Sequence, residues 1–157
     1  MSGELDQQPV SSADEDLRTA LQAAQLPTDD LDEDGRSFFQ FTDRSATIGY
    51  GGLEHYGDCA LLRSLVVLPQ QRGHGYGEAI TRQLLVQATR GGADTIYLLT
   101  DSAIPFFERL GFARVDRATA PAAILQTRQA TGLCPASAAL LTKTAQGEKS
   151  CPLLNVT

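Results

Sequence analysis

The sequence has no long run of Lys or Arg, and its 13 basic residues are outnumbered by 19 acidic ones for a formal charge of −6. Nucleic acids and other polyanions are recognised by clustered cations, so no such partner is expected. The N-terminal stretch MSGELDQQPVSSADED has no apolar h-region, and no later apolar run approaches the ~18 residues of a membrane span. A soluble, cytoplasmic protein without a membrane partner is therefore expected. Cys59, Cys134 and Cys151 are odd in number and scattered. They form no Cys-x-x-Cys pair and have no His-rich partner spacing, so neither a disulfide framework nor a metal site is expected and structural thiols remain. At 157 residues the chain reads as one domain, burying roughly two-thirds of the surface its unfolded form exposes. The boundaries expected are a disordered N-terminus over 1–10, the domain over 11–145 and a C-terminal tail over 146–157.

The stretch that organises the rest is Leu61 to Glu78, LLRSLVVLPQQRGHGYGE. A nearly unbroken apolar run ends at Pro69, and Arg72, Gly73, Gly75 and Gly77 follow just before an amphipathic helix. A Gly-rich turn at a helix N-terminus points several backbone N–H groups the same way, and the helix dipole adds about half a positive charge there. Such a turn seats an anion, here a phosphate held by the loop amides and Arg72. A dinucleotide-binding loop would need a third Gly where Glu78 stands, and a P-loop would need Gly-Lys-Ser/Thr; neither is present.

In chain order, Ser12 and Glu15 form a Ser-x-x-Glu capping box for a first helix with Leu17, Ala20, Leu21 and Ala24 on one face. The acidic cluster Asp29, Asp30, Asp32, Glu33 and Asp34 reads as a solvated surface. From Arg36 the period switches to two: Phe39 and Phe41 lie on one strand, Asp43-Arg44-Ser45 forms a turn, and Ala46 to Glu54 runs back. Gly49, Gly51 and Gly52 on that return strand mark a bulge or a close backbone approach. A third strand spans Cys59 to Leu68. The helix after the loop carries Ile80, Leu84 and Ala88 on one stripe and stops at Gly91-Gly92. Ile96 to Leu99 then reads as a buried strand parallel to the third. A short helix capped by Asp101 or Ser102 follows and closes at Gly111, then a strand over Phe112 to Asp116. Pro121 opens a helix with Ile124, Leu125 and Arg128, and Ala136 to Lys143 is read as a final strand.

The spacing Arg72-x-x-Gly75-x-Gly77 after a strand ending Val-x-Pro resembles the acetyl-CoA loop of the GNAT N-acetyltransferase superfamily. The segment AIPFFERLGF, Ala103 to Phe112, is similar to the signature of that superfamily in which a helix ending Leu-Gly-Phe lies beside the CoA thiol. The resemblance covers roughly Phe39 to Lys143. GGLEHYG, ALLRSLVV, YLLTDSA, FFERLGF and LCPASAALL are together similar to the branch encoded in arsenic-resistance operons and to the acetyltransferase domain of N-acetylglutamate synthases. The resemblance implies an α/β fold, a mixed, mostly antiparallel sheet of about six to seven strands flanked by helices, with a central parallel pair splayed into a V. It also implies acetyl-CoA as cosubstrate, a small-molecule amine as acceptor, an amino acid or analogue in an arsenic-resistance setting, and a monomer or homodimer.

On that resemblance the pyrophosphate cradle is Arg72, Gly73, His74, Gly75, Tyr76 and Gly77. The backbone of Leu65, Val66 and Val67 pairs with the pantetheine arm, one N–H polarising the thioester carbonyl, and Thr100 takes a place where relatives often carry an Asn that touches CoA. Phe107 is a departure, because many relatives place there a Tyr that protonates the leaving thiolate. Either the thiolate leaves unassisted, as a thiol pKa of about 8.5 allows, or Tyr56 or Tyr97 serves. Arg63, inside the apolar run ALLRSLVVL, has two readings: a surface or structural charge paired with Glu54, or an anchor for the acceptor's carboxylate with Glu54 as general base. His55 is read as an exposed turn residue or a base, and Cys134 as a wall of the acceptor site or an arsenical-binding thiol, the latter disfavoured because three distant cysteines would have to converge. A non-catalytic acetyl-CoA-binding sensor is the alternative to the enzyme.

Overall fold

The structure, a computed structural model, describes residues 4–127, 130 and 138–144. Its strands are β1 (Asp6–Val10), β2 (Arg36–Asp43), β3 (Ala46–Tyr56), β4 (Cys59–Val67), β5 (Thr95–Thr100), β6 (Ala113–Val115) and β7 (Ala139–Thr144). Its α-helices are α1 (Glu15–Ala23), α2 (Tyr76–Arg90), α3 (Ile104–Arg109) and α4 (Ala122–Leu125). The strands hydrogen-bond in the order β1-β2-β3-β4-β5-β7-β6. β1–β2, β2–β3, β5–β7 and β6–β7 are antiparallel, whereas β4–β5 is parallel, pairing Cys59–Leu61 with Thr95–Tyr97. This is the mixed, mostly antiparallel sheet with a parallel pair that the sequence led us to expect. Among the described residues no helix is long and apolar enough to cross a membrane.

The chain divides into two compact units, one running up to Glu54 and including Leu62–Leu84, the other taking His55–Leu61 and the chain from Leu85 onward. In the first, Leu17, Ala20 and Leu21 of α1 pack with Leu31, Phe38, Tyr50 and Val66. Their spacing puts one helix stripe on the sheet, and each of its leucines removed from water contributes about 1.5–3 kcal/mol. The glycines of β3 are close approaches. A Cβ on Gly51 would lie 2.5 Å from Leu84 Cδ1 on α2, and one on Gly52 would lie 2.7 Å from the Phe38 ring. At Gly49 a Cβ would run into the carbonyl oxygen of Val66. In the second unit, Cys59 and Leu61 pack with Ile124 and Leu140.

Two local expectations fail. Residues 6–10, read as disordered from polar composition, form β1 against β2, an edge strand, which is where a sheet tolerates a residue such as Pro9. The backbone just before β1 is clamped by Gln83 of α2, which accepts from Leu5 N–H at 2.7 Å and donates to Leu5 C=O at 3.1 Å. The cap of α1 is Asp14, whose carboxylate accepts from Leu17 N–H at 2.9 Å. Ser12, expected to cap the helix, instead donates to Asp32. The final strand is present as β7, while the expected tail over 146–157 and Arg128 lie outside the described residues.

Candidate functional site

The apolar strand β4 delivers the chain to a 3-10 turn at Pro69–Gln71, and the Gly-rich segment then runs into α2. Gly73 and Gly75 take φ of +86° and +79°, in the left-handed region, and a Cβ at either would meet nothing within 4 Å. Backbone conformation, not space, requires glycine at these two positions. Arg72 donates from Nε to the Val67 carbonyl at 2.9 Å. No other side-chain hydrogen bond or ion pair of Arg72 is present among the described residues, so its terminal guanidinium nitrogens remain on the exposed loop. His74 Nδ1 lies 3.1 Å from the Gln71 carbonyl oxygen, and the Tyr76 hydroxyl donates to Asp43 Oδ2 at 2.8 Å. The carboxyl of Glu78 is held by Arg82 one turn on. The first N–H groups of α2 have no intrahelical acceptor and carry the positive end of its dipole, which suits an anion.

Leu65, Val66 and Val67 follow a kink. Ser64 has φ +58° in the middle of β4, a conformation that costs a non-glycine residue on the order of 1–3 kcal/mol. Its hydroxyl accepts from Arg63 Nε at 3.1 Å. Val66 is buried in the α1 core cluster, and its neighbours Leu65 and Val67 are half-buried. No feature of the sequence marks Ser64 as left-handed, because serine is common in ordinary strands.

Arg63 and Glu54 are both found in a closed charge cluster. Arg63 Nη1 and Nη2 donate to Asp30 Oδ2 and Oδ1 at 2.6 and 2.7 Å, and Nη1 also reaches Glu54 Oε2 at 2.7 Å. Arg36 adds a contact of 3.0 Å to Asp30 and one of 3.6 Å to Glu54. The side chains of Arg63, Asp30 and Glu54 are each 0 % exposed, and the Arg63 guanidinium lies 5.7 Å over the Phe38 ring. Burial alone would raise the pKa of Asp30, but hydrogen bonds from Arg63 and then Arg36 outweigh it and hold the carboxyl below its ordinary 3.8. Burial likewise pulls the Arg63 pKa down, and Asp30 and Glu54 more than compensate. One expectation changes here. Asp30 belongs to the buried network and not to a solvated acidic surface, whereas Arg63, with Nη1 and Nη2 on carboxylates of this chain and Nε on Ser64, sits in the structural pairing with Glu54 that was one of its two readings. The sequence concealed Asp30 and Arg36 because both lie in a stretch whose composition is that of a wet loop.

In the second unit, Thr100 Oγ1 accepts from Ala103 N–H at 3.1 Å and so shapes the turn into α3. Neither Asp101 nor Ser102 caps that helix; its N-cap is Ala103. Phe107 is 7 % exposed and meets Phe106 and Phe112 edge to face, at centroid distances of 4.9 and 5.7 Å. His55 packs on Gly91 at the C-terminal end of α2, where a Cβ would lie 3.3 Å from its ring. Tyr56 and Tyr97 pack beside Cys59 and Leu61. Cys59 is a buried thiol pushed up in pKa by that burial, whereas Cys134 and Cys151 lie outside the described residues.

Comparison with known proteins gives this arrangement a family. The fold matches N-acetylglutamate synthase from Neisseria gonorrhoeae, described in complex with coenzyme A and N-acetyl-glutamate, with a TM-score of 0.75 and 16 % identity over 92 % of this chain. The same synthase with coenzyme A and L-arginine gives 0.71 and 19 % over 91 %. This chain spans only 36 % and 34 % of those chains. A GNAT-family acetyltransferase from Staphylococcus aureus Mu50 matches at 0.71 and 17 % identity, over 90 % of this chain and 99 % of its own. No curated protein matches significantly. The model of the acetyltransferase (GNAT) family matches residues 4–112, and the chain belongs to that family.

Proposed function

We propose that the protein transfers an acetyl group from acetyl-CoA to the amine of a small molecule, an amino acid or amino-acid analogue. The observation that carries this reading is the loop Arg72–Gly77, with its two left-handed glycines and the terminal nitrogens of Arg72 ahead of a 15-residue helix. These groups fit a pyrophosphate, with the amides of Gly73 to Gly77 donating and the guanidinium supplying charge. A backbone N–H within Leu65–Val67 polarises the thioester carbonyl, the deprotonated amine nitrogen bonds to the acetyl carbon, the C–S bond breaks, and the nitrogen gives its second proton to water as the amide forms. The thiolate takes its proton from solvent, because Phe107 has none to give. An amino-acid-like acceptor is supported by the resemblance to N-acetylglutamate synthases, and the arsenic setting by the sequence motifs alone.

Of the two readings of Arg63, the closed cluster with Asp30, Glu54 and Arg36 supports the structural one. We therefore take Arg63 and Glu54 as buried structural charges, and the ammonium proton as leaving to water. An acceptor carboxylate would have to displace Asp30 to reach Arg63. If it does, Arg63→Met raises the acceptor KM and abolishes any preference for carboxylate-bearing over amide-capped acceptors.

The packed, hydroxyl-free Phe107 favours a second reading, an acetyl-CoA-binding module without turnover. Free-thiol release from acetyl-CoA, screened against amino acids and their arsenic and phosphorus analogues, separates the two. Amine-dependent release is expected. Tight acetyl-CoA binding with no release across the panel would establish the module, and absence of binding would remove both readings.

A further inference from the structure

Three side chains of the segment Arg72–Gly77 make hydrogen bonds, and these differ in reach. Those from Arg72 to the Val67 carbonyl and from His74 to that of Gln71 span five and three residues and stay within the loop region. The third, from the Tyr76 hydroxyl to Asp43, spans 33 residues. Among the described residues it is the one side-chain hydrogen bond that ties this segment to a distant part of the chain. The far end is stiff. Asp43 closes β2 and pairs with Ala46, and the two residues between them, Arg44 and Ser45, take φ of +53° and +72° without a glycine. β2 is held on both edges, by β1 and by β3. The near end is soft, since left-handed glycines leave backbone freedom that the loop itself cannot remove.

We propose that Asp43 is a positioning residue for the phosphate-binding loop, acting through the Tyr76 hydroxyl; this rests on the reading of that loop as the acetyl-CoA pyrophosphate seat. Tyr76 is the first residue of α2, so a tether on its ring fixes the first turn, whose N–H groups face the anion. The bond has an ionised acceptor and is stronger than a neutral pair. It also pushes the phenol pKa up and keeps Tyr76 a donor. The alternative role of Asp43 has the opposite sign. As a bare negative charge near a pyrophosphate it would weaken binding, and its removal would tighten it.

The test is calorimetric affinity for acetyl-CoA in the full chain, with initial rates alongside. Asp43→Ala and Tyr76→Phe should each weaken binding about fivefold to tenfold. The double variant should lose no more than either single one, because both remove the same bond. Asp43→Asn keeps an oxygen acceptor and should bind within about twofold of wild type. In Asp43→Ala the loss should fall on the KM for acetyl-CoA and leave the acceptor KM unmoved. Unchanged or tighter binding in Asp43→Ala, additive losses in the double variant, or a loss in Asp43→Asn as large as in Asp43→Ala would each overturn the proposal. A wild-type protein that binds no acetyl-CoA would overturn the loop assignment and this inference together, whereas wild-type binding with flat variants overturns the inference alone.

Discussion

Asp30 and Arg63 meet fork to fork, at 2.6 and 2.7 Å, with neither side chain exposed. They come from positions 33 residues apart, so the pair ties the segment before β2 to the middle of β4. Removing one partner of such a buried pair leaves an uncompensated charge and typically costs about 3–5 kcal/mol. Arg63→Met and Asp30→Leu should each lose that much stability in urea titrations, and the double variant should lose clearly less than the sum. Additive losses would mean that the two side chains are not coupled.

The same pair sets an acid limit. The folded-state pKa of Asp30 is depressed below its ordinary 3.8. Its contribution to stability is therefore complete above that value and is lost as pH falls through the folded value, where protonation breaks the ionic hydrogen bonds. The urea midpoint should fall below about pH 4 more steeply in wild type than in Asp30→Asn, in which this group no longer titrates. Parallel profiles would assign the acid sensitivity to other carboxyls.

Gly75 and Gly49 should respond to alanine for different reasons. At Gly75 a Cβ has open space and only φ +79° opposes it, so Gly75→Ala should cost about 1–2 kcal/mol of strain. Gly75→Val should weaken acetyl-CoA binding more strongly, by obstructing backbone approach. At Gly49 a Cβ would collide with the Val66 carbonyl, so Gly49→Ala should lower the thermal midpoint outright. Calorimetry and thermal melts together distinguish the two, and unchanged acetyl-CoA affinity in a folded Gly75→Val protein would remove the loop assignment.

Phe107 packs edge to face with Phe106 and Phe112. If thiolate release is unassisted at this position, Phe107→Leu should cost about 1 kcal/mol of stability and reduce rate without changing the shape of the pH–rate profile. Loss of the basic limb in that variant would mean that Phe107 supports an acid nearby.

Much of the architecture was legible because its causes are local. An apolar run ending in Pro, glycines before an amphipathic stripe, and Gly91-Gly92 after it mark β4, the loop and α2 with little help from the rest of the chain. β1 was not legible, because Asp6–Val10 is polar and is ordered through pairing with β2. Nor was the cap of α1, where Asp14 and Ser12 both had suitable side chains and Asp32 engaged the serine.

The sequence by itself determined the Gly-rich turn into α2, because left-handed turns select glycine and an amphipathic stripe marks the helix that follows. Tertiary structure alone decided the fate of the charges. Whether Arg63 meets solvent, substrate or Asp30 depends on which distant carboxylate the fold brings within 3 Å of it, and no periodicity records that. The same holds for Asp43, an ordinary turn residue until the hairpin carries it to the hydroxyl of Tyr76.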